Sequence, residues 1–266
     1  MAPDPRAKEY VDATSLSDDA GVLDGLMTYV NPLEPNWRWK QLPYWAFAAF
    51  IYLFMWPEAQ AQTFSWDWMT FILVRNLAIE VIWYGGWHKY IYVDRSLPAE
   101  NKFNAKYPPA SQHYRDAFWT TVGFVVASAF ECGMCHLWAT GKIARLELAE
   151  SPVAFIALIP FQAFYADFHF YFIHRWLHLP GLYKYVHSLH HKSYNPGVWS
   201  GFAMHPFEQA TYLMRAGLPL FFAHHPIHYL YMLIRAMLSP VTGHHGFSEP
   251  GGSLSHYIHH AKFNCT

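Results

Sequence analysis

Four apolar stretches, Leu42 to Trp56, Trp66 to Tyr84, Ala117 to Trp138 and Val153 to Ile173, limit what this chain can become. Each approaches the roughly 20 residues that a helix needs to cross a bilayer core, the first being short, and in lipid only helices and closed barrels satisfy their own backbone. A mean hydropathy of +0.01 is low for such a protein. The scale penalises Trp, Tyr and His, however, and the chain holds 12, 18 and 18 of them. Two shorter stretches, Phe207 to Ala223 and Ile227 to Val241, are joined by His224-His225-Pro226, with Pro226 able to start a helix; they read as a hairpin that dips into or across the bilayer. The fold class expected is all-α and integral to the membrane, with about four transmembrane helices plus a short helical hairpin and a cytosolic histidine-rich helical cap.

The basic residues orient this arrangement. Four spans put the N-terminus, the loop from Tyr90 to Asp116 and the chain after Ile173 on one side, which carries thirteen Lys and Arg against only Lys142 and Arg145 on the other. Positive charge stays cytosolic, so the histidine-rich side is expected there. Three regions result: a cytosolic segment over 1–41 with no cleavable signal peptide, membrane-spanning helices over 42–152, and a chemical region over 153–266. Arg75, Arg215 and Arg235 fall in or near apolar helices, where such side chains snorkel or pair. Glu80 and Glu131 are intramembrane too, where an ionisable group is a functional candidate by default, with packing against Arg or Trp as the alternative. The 18 Lys+Arg and 19 Asp+Glu leave no basic field for nucleic acid. Cys132-Gly-Met-Cys135 lacks the second pair of a zinc ribbon and reads as helix packing.

Fifteen of the 18 histidines lie between His169 and His260. Residues three and four apart share a helix face, so His174 and His178, then His187, His190 and His191, then His256, His259 and His260, aim imidazoles at common points. Eight rings exceed the four ligands of one tetrahedral zinc, so two metal ions fit better. His244 and His205 flank the hairpin on the cytosolic side and are the next donors, with His245 able to replace His244; His224, His225 and His228 lie at its far turn. Imidazole suits iron, copper, zinc and nickel alike. Asp167, Glu208 and Glu249 are candidates to accept the second N–H of a ligating ring. Phe161, Phe164, Tyr165, Phe168, Phe172 and Trp199 are expected to wall the substrate. The rival reading, a histidine-rich membrane metal transporter, places its site near mid-membrane on broken helices, whereas these clusters follow the spans.

The stretches D-F-H-F-Y-F-I-H-R-W-L-H, L-Y-K-Y-V-H-S-L-H-H-K-S, A-M-H-P-F-E, G-H-H-G-F and H-Y-I-H-H-A-K-F-N resemble the fatty acid hydroxylase and sterol desaturase superfamily over about Val153 to Asn264. That resemblance implies a non-haem centre of two iron ions on the cytosolic face of the endoplasmic reticulum, or of the inner membrane in a bacterium. It implies dioxygen as oxidant and electrons from NAD(P)H through a separate carrier, a b-type cytochrome or ferredoxin with its reductase. The family's ligands fall on His174, His178, His187, His190, His191, His244, His256, His259 and His260, and His205 also matches a family histidine. H-P-F-E and G-H-H-G-F are closest to the methylsterol monooxygenase and lathosterol oxidase branch, which implies a sterol or sterol precursor as the lipid; fatty acyl hydroxylation and squalene epoxidation are the alternatives within the superfamily. Members continue past the third histidine box with an N-Y-G turn, so the pattern implies a segment beyond Thr266.

Overall fold

The computed structural model describes residues 37–262, and the expected cytosolic segment before Trp37, like Cys265, lies outside them. The described residues form helices joined by turns, with no β-strand and two isolated backbone bridges, Lys102 with Phe247 and Arg145 with His224. Four long helices come first: α1 (Trp37–Met55), α2 (Trp66–His88), α3 (Ala110–Ala139) and α4 (Pro152–Leu177). Five short ones follow: α5 (Pro180–Tyr185), α6 (Pro206–Leu213), α7 (Pro226–Leu238), α8 (Pro240–His244) and α9 (Leu254–Lys262). Proline opens five of these nine helices, at 152, 180, 206, 226 and 240. There its fixed φ suits the first turn and its missing N–H would have had no helical partner.

Two of the four expected spans, α3 and α4, are long and apolar enough to cross a membrane by length and composition. Helix α2 falls short of that measure because Arg75, Asn76 and Glu80 interrupt it, yet all three are buried. Arg75 pairs with Glu131 of α3, and Asn76 Nδ2 donates to Glu131 Oε2 at 3.0 Å and to Ser128 Oγ at 3.1 Å. Glu80 accepts the Thr121 hydroxyl at 2.7 Å. The polar side chains of α2 thus stitch it to α3, as unpaired polar groups there would be costly.

The second arm of the hairpin over 207–241 is internal to the protein, whereas Leu220, Phe221 and Phe222 at its turn are exposed. The first arm breaks after α6 into a tighter turn over Met214–Leu220, and in α7 every residue except Ile227 is buried. Helix α1 packs along α7, with Trp45 stacked on Tyr231 at 4.0 Å between centroids and the Tyr231 hydroxyl donating to Gln41 at 2.9 Å. From α2, Tyr84 and Trp83 donate to the carbonyls of Met237 and Leu238 at the end of α7. An apolar helix sheathed by its neighbours needs no lipid contact, which is why α7, at thirteen residues, can be shorter than a span.

Candidate metal centre

Helix α4 presents His174 in its last turn and His178 just beyond it, one helical turn apart on one face. The chain then turns through α5 into His187–Lys192, which winds as a 3₁₀ segment instead of the expected α-helix. In that tighter helix residues three apart eclipse, and the rings of His187 and His190 stack at 5.4 Å. Helix α8 ends on His244, and α9 carries His256, His259 and His260. Gly201 lets the Val198–Phe202 turn lie against α8: a Cβ there would stand 2.5 Å from the Pro240 carbonyl. Gly246, at φ +80, reverses the chain after His245.

Nine of the ten sequence-predicted histidines come together in two groups. His174, His178, His187, His191 and His259 form one, and His190, His244, His256 and His260 the other; within each, one nitrogen per ring lies within 4.8 Å of all the others. The groups adjoin, with the rings of His191 and His260 4.8 Å apart and those of His190 and His191 5.7 Å apart. All but His178 are buried. Both of the later boxes divide between the groups: His187 and His191 go one way and His190 the other, as do His259 against His256 and His260.

The outer nitrogens explain why the inner ones can ligate. His244 Nδ1 lies 2.7 Å from the Pro240 carbonyl and His190 Nδ1 3.4 Å from that of Ala203. A carbonyl only accepts, so each Nδ1 carries the hydrogen and each Nε2 is a bare lone pair. These two Nε2 atoms face one another at 3.4 Å, a repulsive contact that a shared cation relieves. His260 is fully buried, and neither of its nitrogens has a hydrogen-bond partner. Orphaned, converging lone pairs of this kind suit a metal ion and suit little else.

Burial keeps these rings neutral. It lowers His187 to about 3. His178 also falls to about 3, through burial and then repulsion from His187 and His190. Burial is again the largest cause for His190, which sits at about 4. His191, His244, His256 and His260 are driven down by burial and then by neighbouring imidazoles. Glu208 Oε1 lies 2.7 Å from His187 Nδ1, and burial raises this carboxyl to about 7, opposed by His190 and His205. The contact orients His187.

The remaining candidates sit elsewhere. His205 stands outside both groups; its Nδ1 accepts the Phe207 N–H at 3.2 Å and caps α6. His225 caps α7 in the same way, so the two His-Pro pairs are helix starts. His245 has both nitrogens engaged, Nε2 with the Pro250 carbonyl and Nδ1 accepting from Phe247 N–H. Asp167, expected to orient a ligating ring, binds Arg235 of α7 instead, because a guanidinium is a stronger partner for a carboxylate than a neutral imidazole. Glu249 is exposed and accepts from the Gly251 amide. Four of the six aromatics expected to wall the substrate face the other way: Phe161, Phe164, Phe168 and Phe172 are exposed on the outer face of α4, while Tyr165 and Trp199 are half-buried against the core. The i, i+4 stripe of the four phenylalanines lies opposite the one that carries Ala163, Ala166 and Tyr171 into the protein.

A cavity of about 310 Å³ borders both groups, reached by His174, His190, His244 and His256. Its other walls come from Phe170, Met204, Tyr212, Arg215 and Arg235. Sequence reasoning missed both arginines as parts of the site; their only signal was a charge inside an apolar stretch.

Residues 159–266 match the fatty acid hydroxylase family. This region is a fatty acid hydroxylase domain, in keeping with the resemblance to the fatty acid hydroxylase and sterol desaturase superfamily. Among curated proteins it is similar to the Delta(7)-sterol 5(6)-desaturase of Candida albicans, 33% identical over 115 residues, 40% of this chain and 29% of that one. The Gibberella zeae and Candida dubliniensis proteins of that name are each 32% identical, over 39% and 44% of this chain and 32% and 33% of their own. The matched segment spans about a third of the length of these relatives. No solved structure matches the chain.

Proposed function

We propose that this chain is a membrane-bound, non-haem di-iron oxidoreductase that hydroxylates or desaturates a lipid with dioxygen, with a sterol or sterol precursor as the first substrate to test. The observation that carries the reading is the pair of adjoining groups of five and four imidazoles at the edge of one cavity. The metal ligands are His174, His178, His187, His191 and His259 for one ion and His190, His244, His256 and His260 for the other. Two bound iron ions would supply the redox chemistry that activates dioxygen against an unactivated C–H bond.

The protein's share is positioning and exclusion. Buried, neutral imidazoles leave the ions' charge undiminished, and Glu208 and the carbonyls of Pro240 and Ala203 fix the rings by taking their Nδ1 hydrogens. Phe170, Met204 and Tyr212 line the cavity and keep water from the reacting carbon. Electrons come from NAD(P)H through a b-type cytochrome or ferredoxin docked on the cytosolic face, in the endoplasmic reticulum or a bacterial inner membrane. The Candida albicans and Gibberella zeae relatives are named as sterol desaturases, which supports the lipid reading and puts desaturation beside hydroxylation. Elemental analysis of the purified chain, with a sterol and acyl profile of cells with and without it, tests this. Two irons per chain and a shifted lipid are expected; labile zinc with an unchanged profile would overturn it in favour of a metal-handling protein.

A further inference from the structure

Arg215 is 3% exposed, lies within the tight turn that follows α6 and lines the cavity beside the histidines. Its guanidinium carbon sits 4.2 Å over the Tyr212 ring, so its face is occupied. Its edge is not: Nε and Nη2 are both buried and both lack a hydrogen-bond partner. That edge carries two parallel N–H groups, the fork that takes a carboxylate in two bonds. The two acids of the cavity wall are committed, Asp167 to Arg235 and Glu208 to His187. One positive charge is therefore left without a hydrogen-bonded carboxylate, and a buried arginine edge with nothing to bind is costly.

From this geometry we infer that the cavity takes a lipid bearing a carboxylate, with Arg215 as the residue that binds it. The inference rests on reading the cavity as the substrate site. A single unmatched charge calls for a monoanion. Asp167, whose partner Arg235 shares the cavity with Arg215, lies seven residues before His174 on α4, about 10 Å along the helix. The acid group is thus held at the arginine end of the cavity while another part of the same lipid reaches the histidine end. An adjoining cavity of about 450 Å³ shares Arg235, Ser239, Thr242 and Gly251 with the first and continues past Tyr44, Trp83 and Trp87, giving an apolar remainder a place to lie. A neutral lipid, an unmodified sterol included, would leave the Arg215 edge unpaired, so of the lipids named above the site favours one that carries an acid group, and it discriminates by the penalty it imposes as well as by the bonds it makes.

Binding of radiolabelled myristate and myristyl alcohol, equal in chain length and differing in the acid, tests this on the full chain in nanodiscs, with empty nanodiscs subtracted. It is run with metal bound and again after chelation. The acid should bind about tenfold more tightly than the alcohol, the effect of one charge-assisted contact. Arg215→Gln should erase that preference while leaving the alcohol's affinity within about threefold, and Arg215→Lys should restore part of it. Asp167→Asn, which releases Arg235, should strengthen acid binding, an effect opposite to that of general damage. No acid preference in the wild type, or equal weakening of both ligands by Arg215→Gln, overturns the inference. So does a preference that survives Arg215→Gln and vanishes on chelation, since it would assign the carboxylate to the metal ions. A chain that binds no metal sinks the oxidoreductase reading and leaves the Arg215 comparison intact.

Discussion

At the scale of single residues, the site is governed by where each imidazole keeps its hydrogen. His187, His190 and His244 give theirs to Glu208 and two carbonyls, so removing the one side-chain acceptor should loosen a ligand without removing it. Glu208→Ala is expected to lower metal affinity about ten- to a hundredfold with all ligands present, read by competition with a chelator. His190→Ala or His259→Ala should abolish bound iron and turnover together. Acid acts through the same rings. In the folded, metal-free chain His187 and His178 sit at about 3 and His190 at about 4, below the ordinary 6.5 of the unfolded state. Unfolding therefore takes up protons below pH 6.5, so stability is full above that value and falls as pH drops from 6.5 toward 4. Thermal unfolding of the chelated protein should show a markedly lower midpoint at pH 5 than at pH 7.5. That these histidines would gather was legible in the sequence because the spacing of the three boxes repeats. The partners of Asp167, and the capping by His205, were not, since spacing fixes which face a residue shares and says nothing of which distant element lies against it.

At the scale of elements, the close approach of Val198–Phe202 to α8 is the most sensitive joint, because α8 ends on His244 and the contact leaves no room for a methyl group. Gly201→Ala should displace one segment from the other and cost about 1–3 kcal/mol, seen as a lowered midpoint and weaker metal retention. Gly181→Ala in α5, where an added Cβ meets nothing within 4 Å, is the control and should leave both unchanged. The long helices could be read from apolar length, and their observed bounds extend those expectations by a turn or two. The outward aromatic stripe of α4 could not: a helix apolar on every side hides which side is inward until its neighbours are known. For the same reason the second arm of the hairpin could not be told from a lipid-facing helix, although α7 is buried among its neighbours. The 3₁₀ winding of His187–Lys192 likewise escapes a spacing rule, since an offset of three suits both helices.

At the scale of the whole molecule, the charge asymmetry between the two sides makes an orientation testable. With Lys142 and Arg145 facing away from the cytosol and the histidine boxes toward it, a membrane-impermeant thiol reagent should reach Ser188→Cys only from the cytosolic side. Glu150→Cys should be reached only from the other. Labelling of both from one side would reverse or remove the expected topology. The division of both later boxes between the two imidazole groups reaches furthest. His187 and His191 cannot settle around one ion without fixing the backbone that also carries His190, and α9 ties His259 to His256 and His260 in the same way. If each group holds an ion, as proposed, occupancy of one position would prepare the other, and a half-loaded chain should be a rare species. Metal added to the stripped protein should then enter as a pair in a single transition, and the two ions would behave as one inseparable cofactor.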